Sequence, residues 1–205
     1  LSTLSRPEIT AMHTQWIQGL NYDFGAFAYP TDSGAFAISA TTLKTDAIDR
    51  RDSDESLQGS FENMDSAYSI SYGRNIGATT SVGVTGRYIK QEIDSVSATG
   101  WGGDVGMLKR FQTRPLTAGL AIRHLGSKIK FRDEGDPQPM TVDAGIGYSS
   151  FGEHMLTGVN IFKARDNGLK FGLGNEWKGA LGRGDRAPRY ALRAGFNSEG
   201  TDANS

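Results

Sequence analysis

Six charged residues of this sequence form three candidate ion pairs. They are Arg87 with Asp104, Arg123 with Asp143, and Glu176 with Arg193. In an antiparallel hairpin, the residue numbers of directly opposite partners always add up to the same value, and half of that sum marks the turn. The midpoints of these three pairs fall in the polar connections 91–97, 126–138 and 179–187. Each pair falls on the less apolar face of its predicted strands. We therefore expect a structural network of cross-strand ion pairs.

No pattern in the sequence indicates catalysis or metal binding. The three histidines, His13, His124 and His154, are too scattered for a metal site, and the chain has no cysteine. Gly172-x-Gly174 lacks the third glycine of a dinucleotide-binding loop. Arg183-Gly184-Asp185 is interpreted as a sequence typical of a turn rather than as an adhesion motif. We expect a non-enzymatic protein with no cofactor and no metal.

The overall charge gives no reason to expect a nucleic-acid partner. Lys and Arg number 22 against 23 Asp and Glu, for a net charge of −1, so no basic excess is present to neutralise phosphates. Glycine accounts for 27 of 205 residues, about twice its usual share of about 7%. Glycine at this density disfavours helices.

Alternation of apolar and polar residues predicts an all-β chain. Val82, Val84 and Tyr88, for example, alternate with a glycine, a threonine and an arginine. The predicted strands cover residues 8–16, 22–29, 34–43, 66–74, 79–90, 98–111, 115–125, 139–149, 154–163, 169–178 and 188–196.

The predicted connections alternate in length. Short ones at 30–33, 75–78, 112–114 and 150–153 fall at one end of an antiparallel meander, and longer polar ones at 44–65, 91–97 and 126–138 fall at the other. The 179–187 connection is the exception, and residues 57–61 are assigned to the first long loop. Short turns at one end and long loops at the other are typical of outer-membrane barrels.

The less apolar face combines isolated charges with many glycines. They are Gly83, Gly102, Gly106, Gly119, Gly145, Gly147, Gly158, Gly172, Gly174 and Gly195. Solvent-facing strand positions normally carry Lys, Glu, Thr or Ser, because glycine packs nothing. Glycine beside charges suits a confined interior.

The opposite face is apolar, as contact with lipid requires. Its aromatic residues near strand ends predict a girdle at the membrane surface: Tyr72, Tyr88, Trp101, Tyr148, Trp177 and Phe196. A transmembrane β-barrel is therefore favoured, with a soluble β-sandwich or barrel as the alternative.

Several segments resemble the PorV/PorQ family of outer-membrane proteins, which have a FadL-like barrel usually described with 14 strands. The segments are 12–20 (MHTQWIQGL), 22–24 (YDF), 28–30 (AYP), 65–72 (DSAYSISY), 120–126 (LAIRHLG), 128–131 (KIKF), 139–148 (PMTVDAGIGY) and 192–196 (LRAGF). Single-chain bacterial barrels have even strand numbers. Eleven strands therefore predict an incomplete barrel: residues 1–198 as the C-terminal portion of a longer one, with 199–205 as a flexible tail.

The resemblance also implies a location and a role. It implies the outer membrane of a Gram-negative bacterium and, for some members, an accessory of type IX secretion that binds exported cargo. The loops 44–65, 91–97 and 126–138 would then make the contacts. The FadL-like architecture implies an alternative, a transporter of hydrophobic small molecules. A soluble β-rich binding module is the third hypothesis.

Overall fold

The computed structural model describes residues 1–16, 19–52, 54, 56–94, 96–131, 134–152, 154–180 and 189–198. Its fifteen strands are β1 Glu8–Gln15, β2 Leu20–Thr31, β3 Gly34–Thr45, β4 Ile48–Arg51, β5 Leu57–Phe61, β6 Asn63–Ile76, β7 Thr80–Ile93, β8 Val96–Arg110, β9 Leu116–Gly126, β10 Ile129–Phe131, β11 Glu134–Asp136, β12 Thr141–Ser150, β13 Met155–Ala164, β14 Leu169–Ala180 and β15 Arg189–Asn197.

Eleven of these strands form one sheet, in the order β1-β2-β3-β6-β7-β8-β9-β12-β13-β14-β15. Neighbours in the sheet follow one another along the chain, so the sheet is an antiparallel meander. The described residues form no helical element, and none of their segments is a helix that could cross a bilayer. The prediction of an all-β meander of eleven strands is confirmed; its closure into a barrel stays a prediction.

Two small hairpins are inserted between strands of the meander. β4 pairs with β5, placing Ile48 opposite Phe61 and Asp49 opposite Ser60, and β10 pairs with β11. The assignment of residues 57–61 to a loop is therefore wrong. The direction of the main strands is unaffected, because β5 pairs only within its own hairpin.

The long loop predicted at 91–97 is also wrong. β7 continues to Ile93 and β8 begins at Val96, so only residues 94–95 separate the two strands. The polar side chains of this segment predict a loop, but backbone pairing does not require apolar side chains. Asp94 accommodates the sharp reversal with a φ of 56°, in the left-handed region that Asp tolerates better than most residues.

The chain divides into two compact units. The first contains residues 1–74, 83–105 and 124–138, and the second contains residues 75–82, 106–123 and 139–205. Each ion pair, residue row and depression described below lies within one unit. The predicted tail at 199–205 lies outside the described residues.

The described residues build no core of large apolar side chains. Ala35 and Ala98 are the buried apolar residues among them, and no large side chain is fully buried. Sheets in water normally bury one apolar face against another layer. The large apolar residues of this sheet are exposed or half-buried instead.

Candidate functional site

One face of the sheet, here called the apolar face, carries its large hydrophobic side chains in cross-strand rows. In the second unit, one row consists of Ala118, Ile146, Val159, Leu173 and Phe196. Ile146, Leu173 and Phe196 are each more than half exposed. A continuous apolar surface therefore extends over five neighbouring strands.

The residues that best separate a lipid-facing surface from a packed core are Val142, Ile146, Leu173 and Leu192. Their exposures are 38%, 55%, 51% and 67%. Side chains packed between two sheets would be nearly inaccessible. The exposures exclude such packing against any described part of the chain.

In the first unit, the apolar face ends abruptly toward the longer connections. A row of Ile9, Phe27, Ile38 and Ile70 precedes a row of Ala11, Gly25, Ala40 and Tyr68. The row after these contains His13, Asp23, Thr42 and Ser66, with the His13 Nδ1 2.7 Å from the Asp23 Oδ1. The face thus changes from apolar to polar within one row.

The opposite face, here called the glycine face, has an almost bare strip in the second unit. Gly147, Gly158, Gly174 and Gly195 are direct cross-strand partners on four neighbouring strands. Three inter-strand spacings of about 4.8 Å make this row about 14 Å long. The next row contains Gly119, Gly145, Asn160, Gly172 and Asn197.

An open depression of about 480 Å³ lies on the glycine face. The four aligned glycines line its floor, and Leu156, Glu176 and Arg193 lie beside them. The space exists because glycine has no side chain, while Leu156 supplies an apolar group and Glu176 and Arg193 supply two charged groups.

The glycine face also carries the six charged residues singled out in the sequence. The Arg87 Nη2 donates to the Asp104 Oδ2 at 2.8 Å. The Arg123 Nε and Nη2 donate to the Asp143 Oδ2 at 2.9 and 2.6 Å. The Arg193 Nε donates to the Glu176 Oε2.

The three pairs differ in geometry. Glu176 and Arg193 are directly opposite each other, whereas Arg123 is opposite Thr141, so its bond to Asp143 runs diagonally. Arg87 and Asp104 are the most enclosed pair, with side-chain exposures of 23% and 20%. Removing one member of an enclosed pair leaves a costly uncompensated charge.

Asp104 connects its ion pair to a strained residue that the sequence did not reveal as special. Its Oδ1 accepts the backbone N–H of His124 at 2.9 Å. His124 has a φ of 57°, and its buried Nδ1 has no hydrogen-bond partner among the described residues. Holding this left-handed residue in place is a second structural task for Asp104.

The predicted girdle residues lie on the apolar face, and five of the six lie against another aromatic ring in a tilted arrangement. Tyr88 contacts Trp101 with ring centroids 4.9 Å apart, Tyr72 contacts Phe36 at 4.7 Å, and Trp177 contacts Phe151 at 5.9 Å. The remaining two are Phe196, which lies 5.9 Å from Phe171, and Tyr148, which is half exposed. The phenylalanine partners were missed because they belong to other strands or to a turn.

The connection between β9 and β12 is fastened to β8 by Gln138, which sequence reasoning also missed. This side chain is only 5% exposed. Its Nε2 donates to the carbonyl oxygens of Trp101 at 2.9 Å and Ser127 at 3.0 Å. The hairpin β10–β11 is therefore held at a defined position on the sheet.

The connection between β3 and β6 contains a turn stabilised by Asp54. The Ser56 backbone N–H donates to the Asp54 Oδ1 at 3.1 Å. Hydrogen bonds from the Ser56 side chain and backbone lower the pKa of the Asp54 carboxyl below its usual value.

The other candidate residues of the sequence do not form a reactive cluster. No group of three or more His, Asp or Glu side chains suited to a metal occurs within the described ranges. The His154 Nδ1 lies 3.1 Å from the Lys178 carbonyl oxygen. Arg183-Gly184-Asp185 lies outside the described residues.

No protein-family model matches the chain, and no curated protein matches it.

Proposed function

We propose that this chain is a non-enzymatic transmembrane β-barrel protein of the PorV/PorQ type, located in the outer membrane of a Gram-negative bacterium. The apolar face contacts lipid chains and the glycine face lines the interior. The observation that carries the proposal is that most large apolar side chains of the described residues are exposed and none of them is fully buried. Burying one such side chain is worth about 1.5–3 kcal/mol, so leaving whole rows of them in water would forgo tens of kcal/mol.

The glycine face supports the same assignment. Small residues allow strands to curve, and charged residues facing each other across strands can neutralise one another away from bulk water. The ion pairs Arg87–Asp104, Arg123–Asp143 and Glu176–Arg193 fit this role. A solvent-facing surface would gain nothing from rows of glycine.

Closure of the barrel requires strands beyond the eleven described. β1 and β15 are the two ends of the sheet order, and lipid does not tolerate unpaired strand edges. The first and last strands of an odd-numbered meander run in the same direction, so an all-antiparallel closure needs an odd number of further strands. The resemblance implies about three, for a barrel of roughly 14.

The role that we propose for this barrel is accessory binding of exported protein cargo, as in type IX secretion. The connections between β3 and β6 and between β9 and β12 would make the contacts, because each contains a paired hairpin and Gln138 fixes the second one. The segment 91–97 contributes little, since only residues 94–95 lie between its strands.

A second candidate function is transport of hydrophobic small molecules. The depression on the glycine face favours it, since Leu156 and the aligned glycines offer apolar contact area. The neighbouring Glu176–Arg193 pair opposes an entirely apolar path.

The test begins with the full-length protein in bacterial membranes. We expect it to resist alkaline extraction and to migrate faster on gels when unheated, as folded barrels do. Release by alkali together with heat-independent migration would support a soluble β-rich module and overturn the proposal.

Replacing the β4–β5 hairpin with a short turn then separates the two roles. Loss of co-purified secreted proteins, with membrane insertion and long-chain fatty-acid binding unchanged, is the result expected for a cargo-binding accessory. Unchanged co-purification with saturable fatty-acid binding would favour the transporter.

A further inference from the structure

Among the described strands, β15 lies at one end of the sheet order and pairs on one side only, with β14, so its other edge is suited to pairing. All nine of its residues are exposed, and it contains neither proline nor lysine, which often protect edges. Alternate residues of an antiparallel strand direct both their N–H and C=O groups away from the strand already paired. Residues 189–196 of β15 therefore present a regular row of backbone donors and acceptors.

This edge carries an excess of positive charge on the glycine face. Arg189 and Arg193 lie four residues apart on β15, and Lys178 lies on β14 beside them. Glu176 is the carboxylate within this group, and it already accepts bonds from Lys178 at 2.9 Å and from Arg193.

Both arginines keep the capacity to pair with a further strand. The Arg193 side chain is 74% exposed despite its bond to Glu176. Within the described part of the chain, Arg189 has no carboxylate within ion-pair distance. Ala191 and Gly195 share this face and leave space around the guanidinium groups.

We propose that β15 accepts one further antiparallel strand with carboxylates opposite Arg189 and Arg193. Because direct partners keep their spacing, the two carboxylates are four residues apart. The two positions on the other face between them, opposite Tyr190 and Leu192, carry apolar residues. The proposal rests on closure of the proposed barrel and states the chemistry of the strand that pairs there.

Two other occupants of the edge fit less well. β15 of a second copy would run antiparallel but would bring arginine toward arginine, and like charges across strands repel. β1 of the same chain would have to pair in a parallel orientation, and it offers one carboxylate, Glu8.

A peptide experiment on the 205-residue chain in detergent tests the pattern. Two labelled nine-residue peptides share the same apolar positions, and one has Glu at i and i+4 where the other has Lys. We expect the Glu peptide to bind about tenfold more tightly, since two cross-strand charge pairs change sign. Equal affinities would overturn the proposal.

Charge reversal provides the specificity control. The R189E/R193E variant should reverse the peptide preference, whereas R114E, in the turn between β8 and β9, should leave it unchanged. If the double variant does not fold by circular dichroism, the preference of the parent chain decides alone. A preference that survives in a folded R189E/R193E variant would contradict the inference.

Cross-linking identifies the edge that is used. The chain has no cysteine, so a single Ala191→Cys reports on β15, and it should form a disulfide with a peptide cysteine placed midway between the two glutamates. Binding of the Glu peptide without a disulfide to Ala191→Cys would refute the proposal, because the peptide would then occupy another site. If the protein inserts into membranes but does not prefer the Glu peptide over the Lys peptide, this inference alone is rejected. If it prefers the Glu peptide but does not insert into membranes, the barrel proposal alone is rejected.

Discussion

Adjacent residues of β13 allow a direct test of which face contacts lipid. Val159 lies on the apolar face between Ile146 and Leu173, and Asn160 lies on the glycine face between Gly145 and Gly172. Both are exposed and lie near the middle of the ten-residue strand. Val159→Arg and Asn160→Arg therefore introduce the same side chain at the same depth on opposite faces.

The expected costs follow from the two environments. An arginine on the lipid face near the bilayer midplane destabilises a barrel by about 2–4 kcal/mol. Asn160→Arg extends over glycines, where space is available, and a substitution at an open polar position usually changes stability by no more than about 0.5 kcal/mol. If both faces were in water, both substitutions would change the stability by no more than about 0.5 kcal/mol, because Val159 is already 42% exposed.

The measurement is the free energy of unfolding in lipid vesicles by urea titration, followed by tryptophan fluorescence and by heat-dependent gel migration. We expect Val159→Arg to be at least about 2 kcal/mol less stable than Asn160→Arg. Equal stabilities, or a larger cost for Asn160→Arg, would refute the assignment of the apolar face to lipid.

Two further predictions concern single interactions. Arg87→Met leaves the Asp104 carboxylate without its guanidinium partner in a site that is about one-fifth exposed. The free energy of unfolding should therefore fall by about 1–3 kcal/mol. A fall of no more than about 0.5 kcal/mol, as surface substitutions usually give, would show that the pair is dispensable. Ser56→Ala removes the largest cause of the lowered Asp54 pKa, so this pKa should rise in an NMR titration. Because the folded pKa lies below the unfolded one, the turn's stabilisation is present above the unfolded pKa and is lost as pH falls through the folded pKa; an unchanged pKa in the variant would assign the shift to other groups.

The eleven main strands could be predicted because alternation with period two extends through most of their length. β12 illustrates this, since Val142, Ala144, Ile146 and Tyr148 occupy one face in the sequence pattern and in the structure. The hairpin strand β5 could not be recognised in the same way. Its five residues, LQGSF, contain no clear alternation, and they pair because β4 lies just before them.

The bare strip on the glycine face could be predicted in composition but not in alignment. The sequence shows glycines at 147, 158, 174 and 195, but their alignment depends on register. A shift of one residue in any turn would break the row. The connection from β12 to β13 sets Gly147 opposite Gly158, and the connection from β13 to β14 sets Gly158 opposite Gly174. Loop lengths read from composition are not accurate to one residue, so the row emerges only from the folded chain.

Gln138 shows why the attachment of the β10–β11 hairpin to the sheet could not be predicted from the sequence. It lies in a polar stretch predicted as a loop, yet it is buried because its amide reaches carbonyl groups at Trp101 and Ser127. Gly126 makes this close approach possible, since a Cβ there would lie 2.2 Å from the Trp101 carbonyl oxygen. Glycine and glutamine are individually ordinary in a loop. Their joint role depends on contact between segments about 25–37 residues apart, and local patterns carry no information at that range.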